Sequence, residues 1–373
     1  MVIVVNVRAW KKQLDGIEAY VKRLVLRLVT EQPAHRFYLV CDEPLDLEVS
    51  LPPNVSFFVL GPAGKQQLLQ KYWLDVRLPW WLRKVKADVL VNLDGMASLT
   101  TKVAQCLLVP DGRFLPQANT PTKTQGSFYR SLPRFFKKAN RVVLPSAALQ
   151  TEAETHYKLE AGKTVSLAYA VADWFYPVDY DVKESIKASF AQGHEYFLYK
   201  GLIHDDYKLV NLLKAFSFFK KRQQSSWKLI LAGPFKEGNN EFQKRLMTYK
   251  YKEDVVVTGV LGATEEREMV AAAYALISPA VIETVDPAIW EAMQCQVPVI
   301  AATTTTNKAV FGESVIFFDG NGPTDLAEWI MHLYRHEGER KVFIERGQQL
   351  VSGLSWEQAT ASLWQCVVQA ANA

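Results

Sequence analysis

The sequence predicts an α/β protein built from two doubly wound parallel-sheet domains. Three observations predict it. Short apolar runs alternate with longer amphipathic stretches along the whole chain, the pattern of strand–helix–strand units. The alternation is interrupted once, from Ala170 to Asp181, where the sequence turns aromatic and acidic and carries Pro177. At 373 residues the chain is also long enough for two domains of ordinary size.

The first series opens with a strand from Val2 to Val7. After a loop, Asp15-Gly16-Ile17 begins a helix reaching about Glu31, with Ile17, Tyr20, Val21, Leu24 and Leu28 at helical spacing. Strands follow at Phe37 to Cys41 and Val55 to Leu60. Lys65 to Lys86 reads as helical with an interruption at Pro79. Val89 to Leu93 and Gln105 to Val109 are strands. Ser127 to Lys138 is a helix, Val142 to Pro145 a strand, Ala147 to Lys158 a helix and Val165 to Tyr169 a strand.

The second series follows the linker. Tyr196 to Gly201 is its first strand and Leu209 to Arg222 its first helix. Trp227 to Gly233, a helix near Glu241 to Tyr249, Val255 to Gly259 and a helix from Glu265 to Ala273 continue it. Ser314 to Asp319 is a late strand, and helices begin near Thr324, Glu339 and Trp356. There is no short internal repeat and no low-complexity segment.

Composition narrows the function classes. Hydrophobic residues make up 49% and charged residues 22%, a globular mixture. A net charge of +4 does not point to nucleic acid. The apolar start Met-Val-Ile-Val-Val is too short for a signal peptide, and no window is long enough to span a bilayer. Cys41, Cys106, Cys295 and Cys366 are too scattered for a metal site or a disulfide framework, which fits a reducing cytoplasm.

The chemistry concentrates between Pro279 and Ala302. Ala275 to Ser278 is a strand, and Asp286-Pro287 starts a helix, with Asp as N-cap and Pro at the first position. That helix runs to about Gln294, and Val297-Pro298-Val299-Ile300 is a buried strand. Glu283 therefore falls on a loop at a strand's carboxyl end, where open α/β sheets bind ligands. Glu291 lies about a turn into the helix. Carboxylates so placed accept hydrogen bonds from the paired hydroxyls of a sugar or ribose.

This stretch resembles the donor-binding motif of the retaining GT-B glycosyltransferases of family 4. Pro279, Glu283, Glu291-Ala292-Met293 and Val297-Pro298-Val299-Ile300 match that motif in order, and the resemblance extends along nearly the whole chain. It implies two Rossmann-like domains facing a cleft: 1–172 on the acceptor side and 173–354 on the nucleotide-sugar side. A C-terminal helix, 355–373, would cross back onto the first domain. It also implies transfer of a sugar, with retention, from a UDP-, GDP- or ADP-linked donor to a saccharide, lipid-linked or other acceptor. No metal or cofactor is implied. Glu283 would hold the donor sugar and carry the catalytic role, and Glu291 would hold the ribose. Gly201, Thr284 and Val285 would line the donor, and Lys208 would neutralise its diphosphate. Gly16 and Asp111 would serve the acceptor side.

The chain departs from the family pattern at four positions. Leu202 stands where the family has an Arg, and alternation along the strand aims the neighbouring Lys200 elsewhere. Pro110 replaces a histidine in Val109-Pro110-Asp111, Asp286 replaces glycine-rich sequence, and Ala309 replaces a glutamate. These departures motivate the alternative of a binding or scaffold subunit that has lost turnover. Ala161-Gly162-Lys163-Thr164 lacks the upstream glycine of a P-loop, Tyr157 standing there, and the six histidines form no metal pattern. Trp73, Trp80 and Trp81 lie among Arg77, Arg83, Lys84 and Lys86. They are expected in the core of the first domain, with peripheral contact at an inner membrane face as the alternative.

Overall fold

The computed structural model describes residues 1–373 except 12–15, 46, 48, 65, 111, 113–125 and 237–240, with backbone only for residues 11 and 126–130. The expectations resting on Asp15, Lys65 and Asp111 lie outside the described residues. The chain divides into two compact units, one of Met1–Tyr169 with Trp356–Ala373, the other of Ala170–Ser355.

Unit 1 contains β1 (Val2–Asn6), α1 (Gly16–Glu31), β2 (Arg36–Cys41), β3 (Val55–Val59), α2 (Gln67–Tyr72), a π-helical turn (Trp73–Arg77) and α3 (Leu78–Lys84). It continues with β4 (Val89–Asn92), β5 (Ala104–Leu108), α4 (Gly126–Lys138), β6 (Arg141–Leu144), α5 (Ala147–Tyr157) and β7 (Thr164–Ser166). Its seven strands run in the order β3-β2-β1-β4-β5-β6-β7, all parallel. The order reverses between β1 and β4, the switch point at which such sheets open a crevice.

Unit 2 contains α6 (Tyr180–Ala191), β8 (Tyr196–Lys200), α7 (Leu209–Gln223), β9 (Lys228–Ala232), α8 (Glu241–Met247), β10 (Val255–Gly259), α9 (Ala263–Ala271) and β11 (Ala275–Ser278). Then come α10 (Pro287–Gln294), β12 (Val299–Ala302), α11 (Thr305–Phe311), β13 (Ile316–Phe318), α12 (Pro323–Arg335) and α13 (Glu337–Val351). The strands run β10-β9-β8-β11-β12-β13, again parallel, with the switch between β8 and β11. Leu198, Ile230, Ile277 and Ile300 are almost fully buried between the helical layers, as the interior of an all-parallel sheet requires.

The last helix, α14 (Trp356–Ala371), belongs to unit 1. It buries Trp356, Ala359, Leu363, Cys366, Val367 and Ala370. The Trp356 ring stacks on Tyr20 of α1 at 5.6 Å, and Arg27 reaches Glu357 at 3.0 Å. The i, i+3, i+4, i+7 spacing of its buried face makes it an ordinary amphipathic helix that closes the unit.

The structure corrects the sequence reading at three places. The interruption before Pro79 is a π turn rather than a break, with the Leu78 N–H reaching the Trp73 carbonyl. Pro79 has no N–H for the Asp75 carbonyl four residues back. The Thr100 hydroxyl donates to that carbonyl instead. Second, the stretch from Ala170 is not irregular through Asp181: α6 starts at Tyr180, capped by Asp179, which accepts from the Val182 N–H at 3.0 Å. Third, α11 was not expected. Its signal is the Thr-Thr-Asn run, in which Thr304 caps by accepting from the Asn307 N–H at 2.9 Å.

Candidate functional site

In unit 2 the carboxyl ends of β8 and β11 lie side by side, Leu276 pairing with Leu198. β8 runs out at Lys200-Gly201. Gly201 has φ 148° and Gly233, after β9, has φ 142°. A Cβ on Gly233 would sit 2.1 Å from the Gly201 carbonyl oxygen, so only glycine lets these backbones cross. The crossing is tied by the Gly201 N–H to the Ala232 carbonyl at 2.9 Å and by Ile203 N–H to Pro234 carbonyl at 2.8 Å.

From β11 the chain turns through Pro279 to Val285 into α10. Asp286 caps that helix, accepting from the Ala288 N–H at 3.0 Å and from the Ser278 hydroxyl at 2.8 Å. The Val285 side chain is fully buried, and Thr284 donates its N–H to the Ile282 carbonyl at 2.8 Å. These contacts fix the loop that carries Glu283.

Glu283 reaches the first turn of α11. One carboxylate oxygen accepts from the Thr305 N–H at 3.0 Å, the other from the Thr306 N–H at 2.9 Å and the Thr306 hydroxyl at 2.7 Å. The helix start favours the negative charge. An ionised carboxylate offers about four acceptor positions, so three bonds within the protein leave room for a donor from a ligand.

Glu291 sits on α10, 6% exposed. Its partner is Lys200, the last residue of β8, whose ammonium donates to it and lies 2.9 Å from Glu266 on α9. The same ammonium sits 5.3 Å from the centre of the Phe175 ring. Burial alone would lower the lysine, yet the carboxylates of Glu291 and Glu266 outweigh it and hold the ammonium above its ordinary pKa.

The remaining expected residues are placed as follows. Lys208 is exposed at the head of α7 in the left-handed conformation, φ 58°. Gly16 is the exposed first residue of α1, φ 47°. Sequence reasoning set Lys200 aside and missed Glu266, Thr305 and Thr306. A lysine closing the otherwise apolar strand Tyr-Phe-Leu-Tyr was the available signal, because a buried ammonium demands a carboxylate.

Unit 1 carries its own polar cluster at the switch point of its sheet. Asn6, ending β1, donates to Asn92, ending β4, at 3.1 Å, and Asn92 donates to Gln105 at 3.2 Å. Asp94 accepts from the Met96 N–H at 3.1 Å, and burial pushes its carboxyl above the ordinary range. Arg8 sits over the Trp73 ring, 4.9 Å from its centre, with Asp42 at 3.3 Å.

Comparison with known proteins places the fold. Three solved structures share the fold over nearly the full chain. They are WaaG, a glycosyltransferase involved in lipopolysaccharide biosynthesis (TM-score 0.77, 12% identity, 98% of this chain and 99% of that one); the sucrose-phosphate synthase of Thermosynechococcus elongatus (0.78, 15%, 99% and 98%); and Anabaena HepE in complex with UDP-glucose (0.76, 15%, 98% and 98%). The fold is GT-B. Within it, residues 181–350 match the family model of glycosyl transferases group 1. This GT-B segment contains Lys200, Glu266, Glu283 and Glu291. The O-antigen chain mannosyltransferase B of Escherichia coli is 24% identical over 166 residues, 44% of this chain and 43% of that protein. That match therefore spans less than half of the relative's length.

Proposed function

We propose that this protein transfers a sugar from a nucleotide-sugar donor to a saccharide or lipid-linked acceptor, with retention at the anomeric carbon. The observation that carries this reading is the anchoring of Glu283 on α11 and of Glu291 on Lys200, at the carboxyl edge of one sheet. Two fixed carboxylates there suit the hydroxyls of a sugar and a ribose. The match of residues 181–350 to glycosyl transferases group 1 supports it, as does the UDP-glucose bound by the structural neighbour HepE.

In this reading Glu283 accepts from a donor-sugar hydroxyl through its remaining lone pair and fixes the anomeric carbon. Glu291, held by Lys200, accepts from the ribose. Lys208 and the backbone around Gly201 face the diphosphate, because the first turn of α10 is already capped by Asp286 and would repel it. The acceptor oxygen bonds to the anomeric carbon as the carbon–phosphate oxygen bond breaks on the same face. The departing phosphate oxygen takes the acceptor's proton. The protein contributes positioning and charge stabilisation, and the reaction is proposed to need no metal.

The test is melting of the full chain with UDP, GDP and ADP. A nucleotide at about 100 times its Kd adds roughly 2.7 kcal/mol, a shift of several degrees. A shift with none of the three would refute the reading, and a shift without release from any nucleotide-sugar would mark a non-catalytic binding subunit.

A further inference from the structure

The segment α2–π turn–α3 has two faces of opposite character. Trp73, Leu74, Leu78, Trp81 and Leu82 face inward and pack with Val4, Val40 and Leu90 of the sheet. Outward stand Leu68 at 80% exposure, Tyr72 at 44%, Val76 at 51% and Trp80 at 51%. These four recur at every fourth residue. In a regular α-helix such a row advances by about 40° per step. The wider π turn between Trp73 and Arg77 takes up part of that advance and keeps the row on one side.

Charge flanks this row with one sign. Lys71, Arg77, Arg83 and Lys84 lie on the segment and Lys86 just past its end, and Arg77 and Lys84 each sit 5.5 Å from the centre of the Trp80 ring. The segment's acid, Asp75, is turned inward, accepting from the Leu99 N–H at 2.8 Å. Phe58, on the edge strand β3, is 41% exposed and touches Trp81, which extends the apolar surface.

We propose that this face docks on an anionic lipid surface. A row of Leu, Tyr, Val and Trp bordered by cations is the composition of a helix lying in the headgroup layer. The Trp ring sits at the acyl boundary and the Lys and Arg stems reach back to phosphate. Protein interfaces, by contrast, are depleted of lysine around their apolar centre. The assignment does not depend on the transfer reaction proposed above.

Co-sedimentation of the full chain with phosphatidylcholine vesicles, alone or doped with phosphatidylglycerol, tests it. Binding to the doped vesicles should exceed that to the neutral ones by about tenfold or more and fall away as salt is raised. V76S/W80S should weaken binding to doped vesicles by about tenfold. K71E/K84E should remove the preference for anionic lipid. Both variants should melt with the wild type, since the altered side chains are exposed. Equal binding to both vesicle types, or to neither, would overturn the assignment. So would loss of a homodimer in V76S/W80S with vesicle binding unchanged.

Discussion

Replacing Lys200 with Met removes the ammonium while keeping the length of the side chain. Glu291, 7% exposed at its side chain, and Glu266, at 24%, then lose the ammonium that both of them contact. Breaking a buried pair by deleting one partner costs about 3–5 kcal/mol. In a domain of this size each kcal/mol lowers Tm by about 2–4 °C, so a fall on the order of 10 °C is expected. Adding E291Q to K200M should recover at least half of the loss, because it removes one of the two like charges that the ammonium had held together. The pH dependence has a definite sign. The folded lysine titrates above its ordinary pKa, so its contribution is complete below about pH 10.4 and lost as pH rises through the folded value. Melting of the wild type, K200M and K200M/E291Q across pH measures all of this. A K200M variant within about 1 kcal/mol of the wild type, the cost of an exposed pair, would refute the buried triad.

Four further outcomes are expected. Gly233→Ala should cost about 3 kcal/mol or more, or fail to fold, because its Cβ meets the Gly201 carbonyl and its φ is positive; denaturant titration reads it. Leu363→Ala on α14 should cost about 2–5 kcal/mol, since Leu363 is 2% exposed. Burial would raise Asp254, but its bonds to Lys220 and Lys228 outweigh that and hold it below its ordinary pKa. Its contribution is therefore present above about pH 4 and lost as pH falls through the folded value, and Asp254→Asn should flatten that limb of an acid melt. Thr306→Val should weaken the hold on Glu283 and lower turnover with little loss of Tm.

Much of the fold was legible because its strands are apolar runs bounded by turn residues. Ala275 to Ser278, Pro287 to Gln294 and Val255 to Gly259 fall where patterning put them. α11 escaped because four threonines read as strand or loop until one of them is recognised as a cap. The π turn escaped because Pro79 is a breaker by its local chemistry, and only a distant Thr100 hydroxyl makes the continuous path tolerable. Glu283 and Glu291 were singled out by their order in the motif. Their partners were not, since Lys200 lies 91 residues from Glu291 and Thr306 lies 23 from Glu283. Such pairings depend on which strand ends become neighbours, and only the sheet order supplies that. The three tryptophans show the same limit: Trp73 and Trp81 are core, whereas Trp80 stands exposed.

The most direct measurement is nucleoside diphosphate release from UDP-, GDP- and ADP-sugars by the wild type and by Glu283→Gln. Release from at least one donor is expected of the wild type, reduced about a hundredfold or more by the substitution, as for loss of one preorganised charged contact at a reacting centre. Release from no donor, or equal release by the two proteins, would contradict the proposed transfer.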